Sequence, residues 1–305
     1  MKVICKLFLA CLSILFFVEC NAASRIADKK SKVLHSFVFM TDIHLQPEKN
    51  AIQGFQKAID AVNSLNPDFV ITGGDNIMDA FGQSWPRSDT LFNLLDSMLT
   101  FFNMPVYPTI GNHDIFGIHE KSGVSPSHPE YGKKMYQKRI SESYYTFKHK
   151  GWHYIILDGV KITDDARYIG YIEEEHCDWL RNELQKIGQQ DPIVIVTHIP
   201  LLSIEALIAL GPTKAFHDNS IINNANEVRQ IFKDYNVKMV LQGHTHFLED
   251  IFYEGVHYIT GGAVSGSVWN GKRHEMEEGF LHVEILDDKN FKWEYIDYGW
   301  VPQTP

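Results

Sequence analysis

Residues 69–76 read Phe69-Val70-Ile71-Thr72-Gly73-Gly74-Asp75-Asn76. Four apolar or β-branched residues without alternation predict a short strand buried on both faces, and two glycines, a carboxylate and an amide close it. The same order recurs outward along the chain. Phe37 to Thr41 runs into Asp42-Ile43-His44, and Val106 to Ile110 into Gly111-Asn112-His113-Asp114. Val194-Ile195-Val196 runs into Thr197-His198-Ile199-Pro200, and Met239-Val240-Leu241 leads to Gly243-His244-Thr245-His246. Helical spacing of Ile52, Phe55, Ala58, Ile59 and Val62 predicts a helix over Ala51 to Leu65, and a second is expected across Leu91 to Phe102. Alternating strand and helix predict an α/β fold with parallel sheet covered by helices. In such sheets ligands sit beyond the carboxyl ends of strands, so these loops are expected to converge on one crevice.

Three stretches depart from that period. Tyr144 to Phe147 with Tyr154 to Leu157, Ile251 to Ile259, and Phe280 to Tyr298 read as hairpins and suggest an added antiparallel part. Residues from about 115 to 140, with Gly117, Gly123, Pro126, Pro129 and Gly132, read as a long functional loop. No repeat or linker divides the chain, so residues 23–305 are expected to form a single domain.

The chain has 305 residues, of which 44 % are hydrophobic and 22 % charged, a globular balance rather than a disordered one. Lys2 and Lys6, the apolar run Leu7 to Val18 and the small-residue exit Cys20-Asn21-Ala22 predict a signal peptide over residues 1–22 and an exported protein, periplasmic or extracellular. Retention as an anchor, or a lipid on Cys20, are the other readings of that segment. Cleavage at Ala22 would leave Cys177 as the single thiol and no intramolecular disulfide. The leader carries +1, so its removal takes the net charge from −10 to −11. That balance repels a phosphate backbone and argues against extended nucleic acid as partner. The apolar run is too short to span a bilayer, so no transmembrane span is expected in the mature chain; oligomeric state is left open.

In extended backbone, residues two apart project to one side, so Asp42 with His44 and His244 with His246 each present a ligand pair. Asp75, Asn112 and His198 bring the donors to seven, too many for one tetrahedral ion and suited to two ions sharing a carboxylate. Oxygen and imidazole donors without thiolates point to manganese, iron or zinc. The glycines ahead of Asp75, Asn112 and His244 are read as letting the backbone turn sharply at each strand end.

This ordered set, D-x-H, G-D, G-N-H-D, H and G-H-x-H, resembles the calcineurin-like metallophosphoesterase superfamily from Asp42 to His246, and within it the cyclic-nucleotide phosphodiesterase branch. Purple acid phosphatases match less well, with a tyrosine where this chain has Met78 and no histidine at His44. The resemblance implies a four-layer α/β/β/α sandwich. It also implies one metal on Asp42, His44 and His246, another on Asn112, His198 and His244, and Asp75 between them. His113 would be the free catalytic imidazole, oriented by Asp114.

Two dications with two carboxylates and a hydroxide keep a net charge of about +1, which attracts a phosphate locally while distant charges are screened within about 10 Å. A metal-bound hydroxide is then the expected nucleophile, and small phosphodiesters such as cyclic or other nucleotide diesters are the expected substrates. A phosphomonoesterase acting on nucleotides or phosphoproteins, and a non-catalytic binding protein on the same fold, are the alternatives. Tyr131, Tyr136, Lys133, Lys134, Lys138 and Arg139 are candidates for a cap, His217 in the stretch Ser203 to Asn224 for a substrate contact, and Gly261 to Gly266 for a pocket wall.

Overall fold

Strand β1 (Val33–Met40) divides its side chains between two cores: Phe37 and Phe39 point one way, Val38 and Met40 the other. The computed structural model in which this is seen describes residues 31–302; the leader expected at residues 1–22 lies outside them. β1 pairs in parallel with β2 (Phe69–Thr72), and β2 with β3 (Val106–Pro108). A second parallel block joins β5 (Trp152–Ile156), β8 (Ile193–Val196), β9 (Val237–Gln242) and β11 (Val256–Gly261).

The expected hairpins exist, but they are not a separate part. β12 (Gly279–Leu286) runs antiparallel to β1 and carries β13 (Phe291–Asp297), completing a five-stranded sheet. β4 (Tyr145–His149) and β10 (Leu248–Tyr253) add antiparallel edges to a six-stranded one, in the order β10-β11-β9-β8-β5-β4. Each hairpin shares a strand with a sheet, because that strand has an apolar face that only the sheet interior buries. A two-stranded ribbon, β6 (Val160–Ile162) with β7 (Tyr168–Gly170), follows β5.

Phe37, Phe39, Phe69 and Ile71 from one sheet meet Tyr154, Ile156, Val196 and Leu241 from the other in a single buried cluster, with Phe37 and Phe69 stacked at 5.2 Å. Burying a side chain of that size contributes roughly 1.5–3 kcal/mol. The opposite faces pack on helices. Val38, Met40 and Val70 cluster with Phe55, Ile59 and Val62 of α1 (Ala51–Leu65) and Leu91 and Leu95 of α2 (Trp85–Leu99). Ile155, Ile195 and Val240 cluster with Leu180 and Leu184 of α4 (Glu174–Ile187) and Val228 of α6 (Ala225–Phe232). The four-layer α/β/β/α arrangement is therefore present.

Two local expectations change. α2 begins six residues earlier than its apolar spacing suggests, because Pro86 suits the first turn and the polar Arg87-Ser88-Asp89 hides that turn from a hydrophobic count. The stretch 115–140 is not an open loop: it holds a 3-10 turn at Glu120–Ser122 and helix α3 (Lys134–Arg139), and Ile115, Phe116, Ile118, Met135 and Tyr136 are buried. Three of its four expected cap cations are engaged by the scaffold, Lys133 on Asp158 at 2.7 Å, Lys138 on Glu130 at 2.8 Å and Arg139 on Asp89 at 2.7 Å, while Lys134 is exposed.

Candidate metal centre

All seven expected ligands follow β1, β2, β3, β8 and β9, but they do not reach the centre on extended backbone. Asp42, His44, Asp75, His244 and His246 have φ between 47° and 72°, a left-handed conformation that side chains larger than glycine rarely adopt. The same-side argument from strand alternation is therefore replaced: each pair turns inward through two left-handed residues. Hydrogen bonds hold these turns, Asp42 N–H donating to Gly74 O at 3.1 Å and His44 N–H to Asp75 O at 2.9 Å. Such strain persists where surrounding structure enforces it.

The glycines mostly supply room rather than turns. A Cβ on Gly111 would stand 2.1 Å from Asp75 N, and one on Gly243 would stand 2.0 Å from Thr41 Oγ1. Only Gly74, among the glycines directly ahead of ligands, has positive φ, at 92°.

Each carboxylate spends one oxygen on position and aims the other at imidazoles. Asp42 Oδ2 accepts from Thr41 Oγ1 at 2.7 Å and His244 N–H at 3.0 Å, while Oδ1 is buried without a donor, 3.2 Å from His246 Nε2. Asp75 Oδ1 accepts from His113 N–H at 2.8 Å, while Oδ2 lies 3.2 Å from His198 Nε2 and 3.8 Å from His44 Nε2. His246 Nδ1–H donates to Gly266 O at 2.6 Å and His198 Nδ1–H to Gly73 O at 2.8 Å, which turns both Nε2 atoms into the cluster. Fixing the second ring nitrogen on a carbonyl is how metal-binding histidines are held. His44 Nε2 faces His246 Nε2 at 3.0 Å, and Asn112 Oδ1 faces His198 Nε2 at 3.2 Å.

Ligand atoms around the strand ends thus gather in three overlapping groups, Asp42 with His44 and His246, His44 with Asp75 and His113, and Asp75 with His198 and His244. Converging lone pairs, a buried carboxylate oxygen without a donor and a purely oxygen and nitrogen donor set fit two cations. Without them the cluster is electrostatically unsettled. Burial and nearby His113 and His246 push His44 well below its ordinary value, and burial with the His198 charge takes His244 to about 4. Burial opposes protonation of His198 too, but the Asp75 carboxylate overrides it and raises the imidazole to about 9. Cations compete with that proton, so ion binding releases it.

His113 stands beside this cluster, 31 % exposed, with Nε2 3.9 Å from Asp75 Oδ2 and Nδ1 3.5 Å from Asp79 Oδ1. Burial lowers its pKa, but Asp75 and Asp79 outweigh it and raise it to about 9. Asp114 does not orient this ring as expected. Its oxygens accept from Gly111 N–H at 2.8 Å, Asn76 N–H at 3.0 Å, Asn76 Nδ2 at 2.8 Å and Ile77 N–H at 3.2 Å, tying the Asp75 loop to the Asn112 loop. Asp79 had no sequence signal beyond lying four residues after Asp75.

The stretch Gly261 to Gly266 does wall the site: Val264 N–H donates to Thr41 O, and Ser265 Oγ to Asp42 O at 2.7 Å. A cavity of about 350 Å³ opens beside His244, lined among others by Tyr168, Ala206, Phe216, His217 and Arg273. His217 therefore sits where a substrate contact was expected, whereas Tyr136 is in the core. Arg273 had no sequence signal at all.

Fold and donor set together define a metal-dependent phosphoester hydrolase. Residues 35–248, 214 of the 305, match the calcineurin-like phosphoesterase family, and the chain belongs to it. Proteins of this family typically hold two metal ions. Among solved structures it is similar to a dimetal phosphatase from Danio rerio, at 14 % identity over 88 % of this chain and 100 % of that one, TM-score 0.56. It is also similar to GAP50, described as the anchor in the inner membrane complex of Plasmodium, at 15 % identity over 88 % and 85 % of the two chains, TM-score 0.57. Likeness at such identities speaks for the fold. Comparison with curated protein sequences finds no match.

Proposed function

We propose that this chain hydrolyses small phosphodiesters outside the cytoplasm, using two ions drawn from manganese, iron and zinc. Asp42, His44 and His246 would hold one ion and Asn112, His198 and His244 the other, with Asp75 between them. Bound there, the ions supply activation of water and neutralisation of phosphoryl oxygens. The chain's own residues supply the rest. His113, 31 % exposed beside the cluster and left out of the proposed ligand set, donates a proton to the departing oxygen from Nε2, with Asp79 Oδ1 3.5 Å from its Nδ1. The cavity beside His244 receives the part of the substrate that does not react.

The observation that carries this reading is the placement of His113. An alkyl phosphate ester, whether mono- or diester, loses a basic alkoxide and needs a proton donor, and between the two the loaded cluster, at about +1, matches a singly charged diester better than a doubly charged monoester. The test is to measure bound metal on the purified chain and compare rates on bis(p-nitrophenyl) phosphate, p-nitrophenyl phosphate and cyclic AMP. Faster turnover of the diesters supports the reading. A preference for the monoester makes the protein a phosphomonoesterase, and no turnover with metal bound makes it a binding protein.

Export rests on the Lys2, Lys6 and Leu7 to Val18 pattern. Protein recovered from its native host should begin at Ala23 and titrate a single thiol, Cys177. An intact Met1 would contradict cleavage.

A further inference from the structure

Four of the large exposed apolar side chains fall in one stretch of seven residues, Ile204 at 40 %, Leu207 at 49 %, Ile208 at 58 % and Leu210 at 52 % exposure. The short helix α5 (Glu205–Leu210) carries three of them. The patch is continuous with the cavity beside His244, because Ala206 and Leu210 of the same helix line that cavity together with Phe216. Across it Arg273 contributes a guanidinium whose Nε is buried with no hydrogen-bond partner among the described residues. Glu205, on the helix wall, faces His274 at 3.8 Å.

Contiguous exposed aliphatic surface is usually covered by something in function. Here one end of the surface opens on the proposed metal ligand His244 and a guanidinium with an unpartnered Nε, which suits a phosphate oxygen, and the other end is plain hydrocarbon. A protein partner has no need of the cavity, and an anionic membrane surface is repelled by a chain of net charge −10. We propose that the cavity binds an amphiphilic phosphodiester, its charged end held by Arg273 and its alkyl or acyl chain laid along α5. This rests on the phosphodiesterase reading and narrows its substrate class.

The test uses the metal-loaded protein and the ethyl, butyl and octyl p-nitrophenyl phosphates, all below their micelle concentrations. Partial burial of six further methylenes should raise kcat/KM about tenfold or more from ethyl to octyl, mainly through KM. In the double variant Leu207→Ser/Ile208→Ser that ratio should fall to about threefold or less. A flat series in the natural protein, or an unchanged ratio in the variant, overturns the inference. Calorimetry with methyl(octyl)phosphinate and ethyl(methyl)phosphinate, singly charged ligands whose P–C bonds do not hydrolyse, reads binding without turnover: the octyl ligand should bind about tenfold more tightly and with a more negative heat-capacity change. If no ester is hydrolysed with metal bound, the phosphodiesterase reading fails, and calorimetry still decides the chain-length question. A dimer in sedimentation that the double variant dissociates would make the patch a contact between copies and overturn the inference.

Discussion

Asp79 Oδ1 lies 3.5 Å from His113 Nδ1, on the side of the ring away from Asp75. The carboxylate next to His113 in sequence, Asp114, instead binds three backbone N–H groups and the Asn76 amide. Neighbours in sequence thus face different surroundings: the His113 ring lies between Asp75 and Asp79, and the Asp114 carboxylate ties together the loops beneath it.

His113→Ala should keep both metals, since the proposed ligand set does not include it, and should lower turnover of alkyl or cyclic nucleotide esters about 10²- to 10⁴-fold. Turnover of p-nitrophenyl esters, whose leaving group is stable unprotonated, should drop far less. Equal losses on both substrate types would show that His113 stabilises phosphoryl charge instead.

Asp79→Asn and Asp114→Asn should part company. The first is expected to lose turnover selectively on alkyl esters with a stability loss smaller than the second's, because the two backbone N–H groups that Asp79 accepts from, Phe81 at 3.0 Å and Gly82 at 3.3 Å, lie in a partly exposed turn. The second places an amide N–H₂ against buried donors and should cost about 1–3 kcal/mol of stability while loosening metal at both ligand groups. Denaturant melts and metal analysis on the same preparations separate the two; matching stability losses would mean that Asp79 is structural as well.

Gly111→Ala tests the close approach under Asp75. Its Cβ would overlap the Asp75 backbone nitrogen, so the loop must move, at a cost of about 3 kcal/mol or more, and metal affinity should drop with it. A variant with the natural melting temperature and full metal content would show that the two loops are looser than described.

At the far end of the sheets, His35 is buried with Nε2 2.7 Å from Tyr154 Oη, beside His149, Asp68 and Lys150. Burial, reinforced by the His149 charge, lowers its pKa from 6.5 to about 4. The unfolded chain takes up this proton near 6.5 and the folded chain only near 4, so the contribution is present above 6.5 and is lost as pH falls toward 4. Between pH 7 and 4.5 the natural protein should lose roughly 2 kcal/mol more stability than His35→Gln. Parallel urea titrations check this, and identical pH slopes would contradict it.

Much of the architecture was legible in short, wholly apolar strands followed by polar clusters, because parallel strands buried on both faces cannot hide their composition. Ala51–Leu65 was found to the residue, since its apolar face repeats without interruption. The loops were harder. Left-handed backbone at Asp42 or His244 is imposed by hydrogen bonds from other loops, and no local pattern announces it. Asp79 and Arg273 reach the site through contacts distant from the ligand motifs, so only the folded chain reveals them.

If Asp75 lies between two ions, its loss has an outcome that no other single residue shares. Metal content of Asp75→Ala, measured by mass spectrometry after exhaustive dialysis, should fall from two equivalents per chain to none, with a lowered melting temperature, because both ligand groups lose their common carboxylate and its neutralising charge. Retention of two equivalents would contradict that placement of Asp75.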